Sequence, residues 1–305
     1  MMVQASVRIQ KISLLFIITG ICFLGCGIAD ISQDSPLLEK ESEAIATQKI
    51  EEIITFQGFD VMKKKNVYCF EAIDDWKGIM GGMAKIWPDK NTRFKFCYNF
   101  NTFDGNALFL SGKKQGNLIG VQSWRFYEKT KNTDTILVKD TGSKHNPLEF
   151  GVVIYHYFIE LAYRLRNAPI RRYYGQKTYK KQRYDLVFAS WESEAPNPKY
   201  DQYILWINTK TKLVEYCMYT VRTNTNPLTR HKYGSIAFED YSNVDGFKVP
   251  TKMTVMIDDD VIKKPSLENY FHRFTIQDFS FGEYNEAVLY PIKNLKKQID
   301  SKSHE

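Results

Sequence analysis

The sequence is poor in the residues that most often carry chemistry. Its 305 residues include five histidines and five cysteines, and no HExxH, GxSxG, Walker or GxGxxG pattern occurs. The familiar zinc-peptidase, nucleophile-elbow, phosphate-loop and dinucleotide sites are therefore not encoded as motifs. No cysteine pair has metal or redox spacing, so no metal and no cofactor is implied. The N-terminal apolar run, Ile12 to Gly25, has 14 residues, short of the roughly 20 that span a bilayer. No internal repeat is visible.

What that short run does have is context. Arg8 and Lys11 precede it, and it ends Phe23-Leu24-Gly25-Cys26. A basic region, a short apolar region and a small residue before the cut are the signature of a secretory signal. The four-residue ending resembles the bacterial lipobox, in which cleavage leaves a lipidated cysteine as the new N-terminus. That resemblance makes residues 1–25 a signal peptide and Cys26 the lipidation site. At about 0.8 kcal/mol per buried CH₂, two or three acyl chains hold a protein to a membrane almost permanently. Cleavage removes two basic residues and no acidic one, leaving a net charge of +5, which gives no reason to expect a nucleic-acid partner.

Residues 26–40 open with the small, polar stretch GIADISQDS, as a flexible tether requires. From Glu41 to Phe56 the spacing of Ala46, Ile50, Ile53 and Ile54 predicts a helix stopped by Gly58. Strands follow: Val67 to Ile73, then Thr92 to Phe100, where Phe94, Phe96, Tyr98 and Phe100 alternate with polar or small residues. Shorter strands are expected at 106–110, 124–127 and 135–138. Pro147 to Arg166 breaks the pattern, with Phe150, Val153, Ile154, Tyr157, Phe158, Leu161 and Leu165 at helical steps. Strands resume at 183–189, 202–207, 213–221, 235–241, 247–257 and 270–281, with Asn243-Val244-Asp245-Gly246 as a hairpin turn. The turn at 208–212 places Lys212 where a glycine would relieve strain. The expected fold class is α+β: one domain over 41–284, a curved antiparallel sheet forming a half-barrel, with the N-terminal and central helices packed on it. Residues 285–305 form a charged tail. Cys69, Cys97 and Cys217 remain after lipidation, so one disulfide is possible and the pairing stays open.

Three stretches hold candidate chemistry. His156 and Glu160 lie four apart on the central helix and could relay a proton or bind a metal, but no nucleophile accompanies them; an i, i+4 polar contact is the plainer reading. Asp258, Asp259 and Asp260 lack the looped oxygen set a calcium ion needs and read as a solvated turn. Residues 163–184 carry Arg164, Arg166, Arg171, Arg172, Lys177, Lys180, Lys181 and Arg183 with no acid until Asp185, and five tyrosines among them. This is either a basic edge that discourages strand aggregation or a surface for anionic headgroups or an envelope protein partner, centred on Arg171, Arg172, Lys177, Lys180 and Lys181.

Several segments together resemble a family of uncharacterised bacterial envelope lipoproteins, best known from Bacteroidota, whose fold is similar to the Lol-type lipoprotein carriers. They are Tyr157-Phe158-Ile159-Glu160-Leu161 with Arg164-Leu165-Arg166-Asn167-Ala168-Pro169, Tyr203-Ile204-Leu205-Trp206-Ile207-Asn208 with Thr211-Lys212-Leu213-Val214, and Val244-Asp245-Gly246-Phe247-Lys248-Val249-Pro250-Thr251. The resemblance covers roughly Ile50 to Phe281. It implies a curved antiparallel sheet whose concave face holds acyl chains or hydrophobic peptides. On that basis the chain is read as a lipid-anchored envelope protein, outer membrane rather than inner, without enzymatic activity. It would bind an apolar ligand through Phe94, Phe96, Tyr98, Phe100, Tyr157, Phe158 and Leu161. A scaffold acting through the basic tyrosine-rich stretch and a hydrolase using His156 and Glu160 are the competing readings.

Overall fold

A computed structural model describes residues 27–133, 136–140, 146–222, 231–258, 270–282 and 289–292. The signal segment, Cys26, Asp259, Asp260, and most of 285–305 lie outside these residues. Five helices are described: α1 (Glu39–Gln57), α2 (Phe59–Lys65), α3 (Gly78–Ala84), α4 (Pro147–Ile159) and α5 (Leu161–Leu165). Thirteen strands form a single antiparallel sheet. In chain order they are β1 (Val67–Trp76), β2 (Asn91–Asn99), β3 (Gly105–Phe109), β4 (Leu118–Gln122), β5 (Arg125–Lys129), β6 (Ile136–Asp140), β7 (Ile170–Tyr179), β8 (Gln182–Ser190), β9 (Tyr203–Asn208), β10 (Val214–Tyr219), β11 (Gly234–Val244), β12 (Phe247–Ile257) and β13 (His272–Phe281).

Across the sheet the order is β6-β5-β4-β3-β2-β1-β13-β12-β11-β10-β9-β8-β7. Two meanders, β1 to β6 and β7 to β13, are thus joined where β13 returns beside β1. The register sets Tyr68 opposite Tyr98, Phe70 opposite Phe96 and Ala72 opposite Phe94, so the predicted alternation of β2 delivers its rings to one face. The sheet is curved and unclosed, the expected half-barrel, and α1, α4 and α5 fill its concave side.

Helix α1 follows its apolar stripe, burying Ala46, Ile50, Ile53 and Ile54, and Gly58 ends it at φ 88°. A side chain there would collide with Gly246 O, 2.2 Å from an added Cβ, so the α1–α2 corner and the Asp245-Gly246 hairpin are built against each other. Asn146 caps α4 by accepting Leu148 N–H at 3.1 Å, with Pro147 at the first helical position.

The central helix, expected unbroken to Arg166, leaves α geometry at Glu160 (φ −101°, ψ 11°) and restarts as α5. The stretch expected to be tether is also folded from Ile28 onward. Ala29 and Ile31 are buried, Ile31 N–H donates to Gln202 Oε1 at 3.1 Å, and Ser35 Oγ donates to Tyr173 O. The segment therefore straps over the edge of β7 from the convex face to α1. Isoleucine 31 finds enough apolar surface there to offset the ordering of a short chain.

Cys69 and Cys97 face each other on β1 and β2 and form a disulfide, with Cys217 free and buried. No described helix is long and apolar enough to cross a membrane.

Candidate ligand site

The floor of the concavity is aromatic. Phe94, Phe96 and Tyr98 from β2 and Phe100 beyond it are all at most 2% exposed. Phe96 and Phe70 stack at 5.3 Å, and Tyr155 of α4 lies parallel to Phe274 at 3.9 Å. Trp87 reaches under α4, where Gly151 leaves room for its ring: an added Cβ would sit 2.2 Å from it. Tyr98 O–H donates to Val152 O at 2.8 Å, tying floor to cover.

Two buried polar clusters pin the cover. At the α4–α5 junction Glu160 accepts from Tyr68 O–H at 2.9 Å and Arg164 Nε–H at 2.8 Å, and His156 Nε2 lies 2.8 Å away. Arg164 also donates to Phe100 O at 3.1 Å. The His156 ring is sandwiched by Tyr98 at 4.4 Å and Phe103 at 4.6 Å. Burial pushes the Glu160 carboxyl up, but the Arg164 guanidinium and then His156 outweigh it and hold the group below the ordinary carboxylate range. Burial, followed by the Glu160 charge, drives the Tyr68 and Tyr98 phenols well above theirs, so both are neutral donors. His156 and Glu160 thus meet as the i, i+4 spacing predicts, and at 1% and 0% exposure they hold the helical cover in register.

The second cluster was not legible in sequence. Asp74 of β1 is fully buried and accepts from Trp87 Nε1–H at 2.7 Å and from Tyr155 O–H, while His272 Nε2 lies 3.1 Å from its other oxygen. His272 stacks on Trp76 at 3.9 Å. These residues are up to 198 positions apart, and only the β1–β13 pairing brings them together.

Between the cover and the sheet the packing leaves a crevice of about 10 Å³, lined among others by Gln57, Phe158, Leu161, Phe238 and Tyr241. That is room for a single water. Phe158 and Leu161 therefore border a gap, whereas Phe94, Phe96, Tyr98 and Phe100 lie sealed beneath α4 and the loops that join it. Tyr157 contacts Tyr203 across the cover at 5.8 Å.

The basic stretch proves to have acidic neighbours after all, supplied from elsewhere in the chain. Arg172 meets Glu39, Glu43 and Glu194, Arg171 approaches Glu43 at 3.9 Å, and Arg166 meets Glu51. Lys177 lies over the Trp206 ring and Lys180 over Tyr179. The stretch runs from the end of α5 through the edge strand β7 and its hairpin into β8, and three of its eight cations, Arg166, Arg171 and Arg172, join α1 and Glu194 to that edge. Among the described residues no cluster of three or more metal-ligating side chains occurs.

No protein-family model matches the chain, and no curated relative does. Solved structures do. A LolA superfamily protein from Nitrosomonas europaea superposes with TM-score 0.51 at 8% identity, over 80% of this chain and 96% of its own. A putative outer membrane lipoprotein-sorting protein domain from Vibrio parahaemolyticus gives 0.51 at 7%, over 81% and 97%. A DUF1329 family protein from Desulfovibrio piger gives 0.50 at 10%, over 80% and 96%. At these identities the likeness is one of fold: the chain is built on the LolA-like α+β half-barrel.

Proposed function

We propose that the mature protein is an envelope lipoprotein, anchored through Cys26, that takes an acyl chain or comparable apolar ligand between the concave face of its sheet and the α4–α5 cover. The observation that carries the reading is the crevice at Phe158 and Leu161. It lies where an apolar sheet meets a cover that is already broken at Glu160, so lifting α5 enlarges an apolar gap without breaking a continuous helix. One fold neighbour is a putative outer membrane lipoprotein-sorting protein domain, which is in keeping with a lipid-bearing ligand.

The packing over the floor is closed, which makes uptake a conformational step in which the cover exchanges its contacts with the floor for contacts with the ligand. Phe158 and Leu161, with Tyr157 beside them, form the moving wall and Val214, Phe238 and Tyr241 the fixed one, while Phe94, Phe96, Tyr98 and Phe100 come within reach of a ligand only as α4 lifts too. Native mass spectrometry of protein purified from membranes should show bound lipid, and added fatty acid should raise the melting temperature. Leu161→Phe, which overfills the crevice, should weaken both effects, at a cost of about 1–3 kcal/mol read as a lower melting temperature of the protein without added lipid. A ligand-free spectrum with melting unchanged by lipid would overturn the reading. Intact mass of wild type against Cys26→Ala tests the anchor separately.

A further inference from the structure

Helix α3 is turned inside out. Its sequence is Gly78-Ile79-Met80-Gly81-Gly82-Met83-Ala84, and the residue it buries is Gly81, while Ile79 is 82% exposed, Met83 76% and Met80 46%. The glycine lets the helix lie flush on the sheet end: an added Cβ at 81 would stand 2.6 Å from Phe271 O and 2.9 Å from Trp76 C. Lys77 N–H donates to Phe271 O at 2.9 Å and fixes the entry. A helix that turns glycine to the protein and isoleucine and methionine to solvent gains nothing from folding by that choice, and the cluster it exposes is of the kind that interaction surfaces use. Phe150, in the first turn of α4 beside the Gly151 that rests on Trp87, adds 38% exposed aromatic surface at the same end of the half-barrel.

Two observations say which partner. The first is charge. Lys77, Lys85 and Lys90 flank the face, and no carboxylate occurs from Lys77 to Pro88. Their ammonium groups rest on the Tyr270 ring, on Trp87 O and Pro88 O, and on Gly78 O. The described carboxylates that flank this stretch in sequence have partners, Asp75 accepting Tyr270 O–H and an Asn91 side-chain N–H, and Asp89 accepting Lys113 N–H. Apolar side chains inside a ring of cations complement an anionic bilayer surface.

The second is where the chain leaves the fold. Ile31 is held by Gln202, immediately before β9. The start of β9 lies at the sheet end that also carries the end of β1, from which α3 follows. Cys26 is five residues from Ile31, at most about 18 Å of chain. Five strand spacings separate β9 from β1, roughly 24 Å along the rim. A lipid on Cys26 and the face of α3 therefore meet one plane together.

We infer that this rim, with Ile79, Met80 and Met83 inserted and Lys77, Lys85 and Lys90 on the headgroups, docks on an anionic lipid surface as a second attachment beside the N-terminal lipid. With the N-terminal lipid already holding the chain at the surface, the rim meets the bilayer at high effective concentration, and a contact weak by itself is enough to orient the body. The inference rests on the envelope-lipoprotein reading for its orientation and on α3 for its contact.

The test places an environment-sensitive fluorophore on the full chain at Met83→Cys, with Lys64→Cys at the opposite end of the barrel as control. The protein is mixed with phosphatidylcholine vesicles with or without phosphatidylglycerol. The label at 83 should brighten severalfold and shift to the blue only with the anionic vesicles, the label at 64 should not respond, and Lys77→Glu with Lys85→Glu should remove the response. Silence at 83, or equal signals at 83 and 64, overturns the proposal. Repeating both labels on Cys26→Ala separates the readings. If only the anchor reading fails, vesicle flotation is the same in both chains and position 83 still responds. If only the rim fails, flotation depends on Cys26 and position 83 stays dark.

Discussion

The convex surfaces of the two meanders were built to different plans. On β2 every second residue from Asn91 to Lys95 is exposed, and the outward Glu71, Arg93 and Lys95 meet water. On β8 and β9 nearly every residue is buried: Tyr184, Leu186, Phe188, Ile204 and Trp206 face outward and still form a second apolar cluster, joined by Ile31 of the N-terminal strap. The first meander has one main core, held by α4, and on its convex face only a small cluster of Val67, the 69–97 disulfide and Leu289. The second has two large ones, the outer roofed by a peptide that sequence composition presents as a linker. A polar, small-residue stretch can thus be structural when a single isoleucine in it finds a pocket.

Removing Glu160 should break the one-core half hardest. Glu160→Ala strands Arg164 and His156 without their carboxylate, and about 3–5 kcal/mol of stability should disappear in urea unfolding at neutral pH. Because the Glu160 pKa is held low in the folded state, its contribution is complete above the unfolded carboxylate range and fades as pH falls through and below that range. Cys69→Ser with Cys97→Ser opens a link across 28 residues of sequence, a loss of about 3 kcal/mol that reduction of the wild type should reproduce. The two-core half should respond to Ile31→Ala with a loss of about 2 kcal/mol and increased binding of a hydrophobic dye to the bared convex face.

The smallest effect should be a gain. Burial lifts the Asp201 carboxyl to about 6, even though it accepts Arg222 N–H and Thr220 O–H. Its proton is held more tightly in the native state than in the unfolded one, so ionisation costs stability as pH rises from 4 toward 6. Asp201→Asn keeps both acceptor contacts and should stabilise by about 1 kcal/mol at pH 7, and by nothing at pH 4, in paired melting curves.

Where turns carried their usual residues, the strands around them were legible. Asp245-Gly246 adopts positive φ, as the hairpin between β11 and β12 requires, and Lys212 sits at φ 58°, the strained site its neighbours predict. Strand β4 and the hairpin onto β7 were not legible. Their turns are Ser123-Trp124 and Lys180-Lys181, pairs at φ 51°, 59° and 46°, 63°, positions that ordinarily call for asparagine or glycine. The strand β7 was also masked by its arginines, whose partners on α1 and in the 191–202 loop are remote in sequence. In the site, the aromatic floor and the His156–Glu160 contact followed from period 2 and from i, i+4 spacing. The Asp74–Tyr155–His272 cluster did not, because nothing local relates three residues whose meeting depends on β13 returning to β1.

The sequence by itself determined the α+β class, the amphipathic face of α1, the side of β2 that turns inward and the short basic-then-apolar N-terminus, because each is a periodicity or composition written over fewer than twenty residues. Only the tertiary structure decided which cysteines pair, that the concavity is closed over its aromatics, that the N-terminal segment is strap rather than tether, and that α3 faces outward. Those outcomes depend on the free energy of contacts between segments far apart in the chain, and no local pattern records which distant surface will be there to receive a side chain.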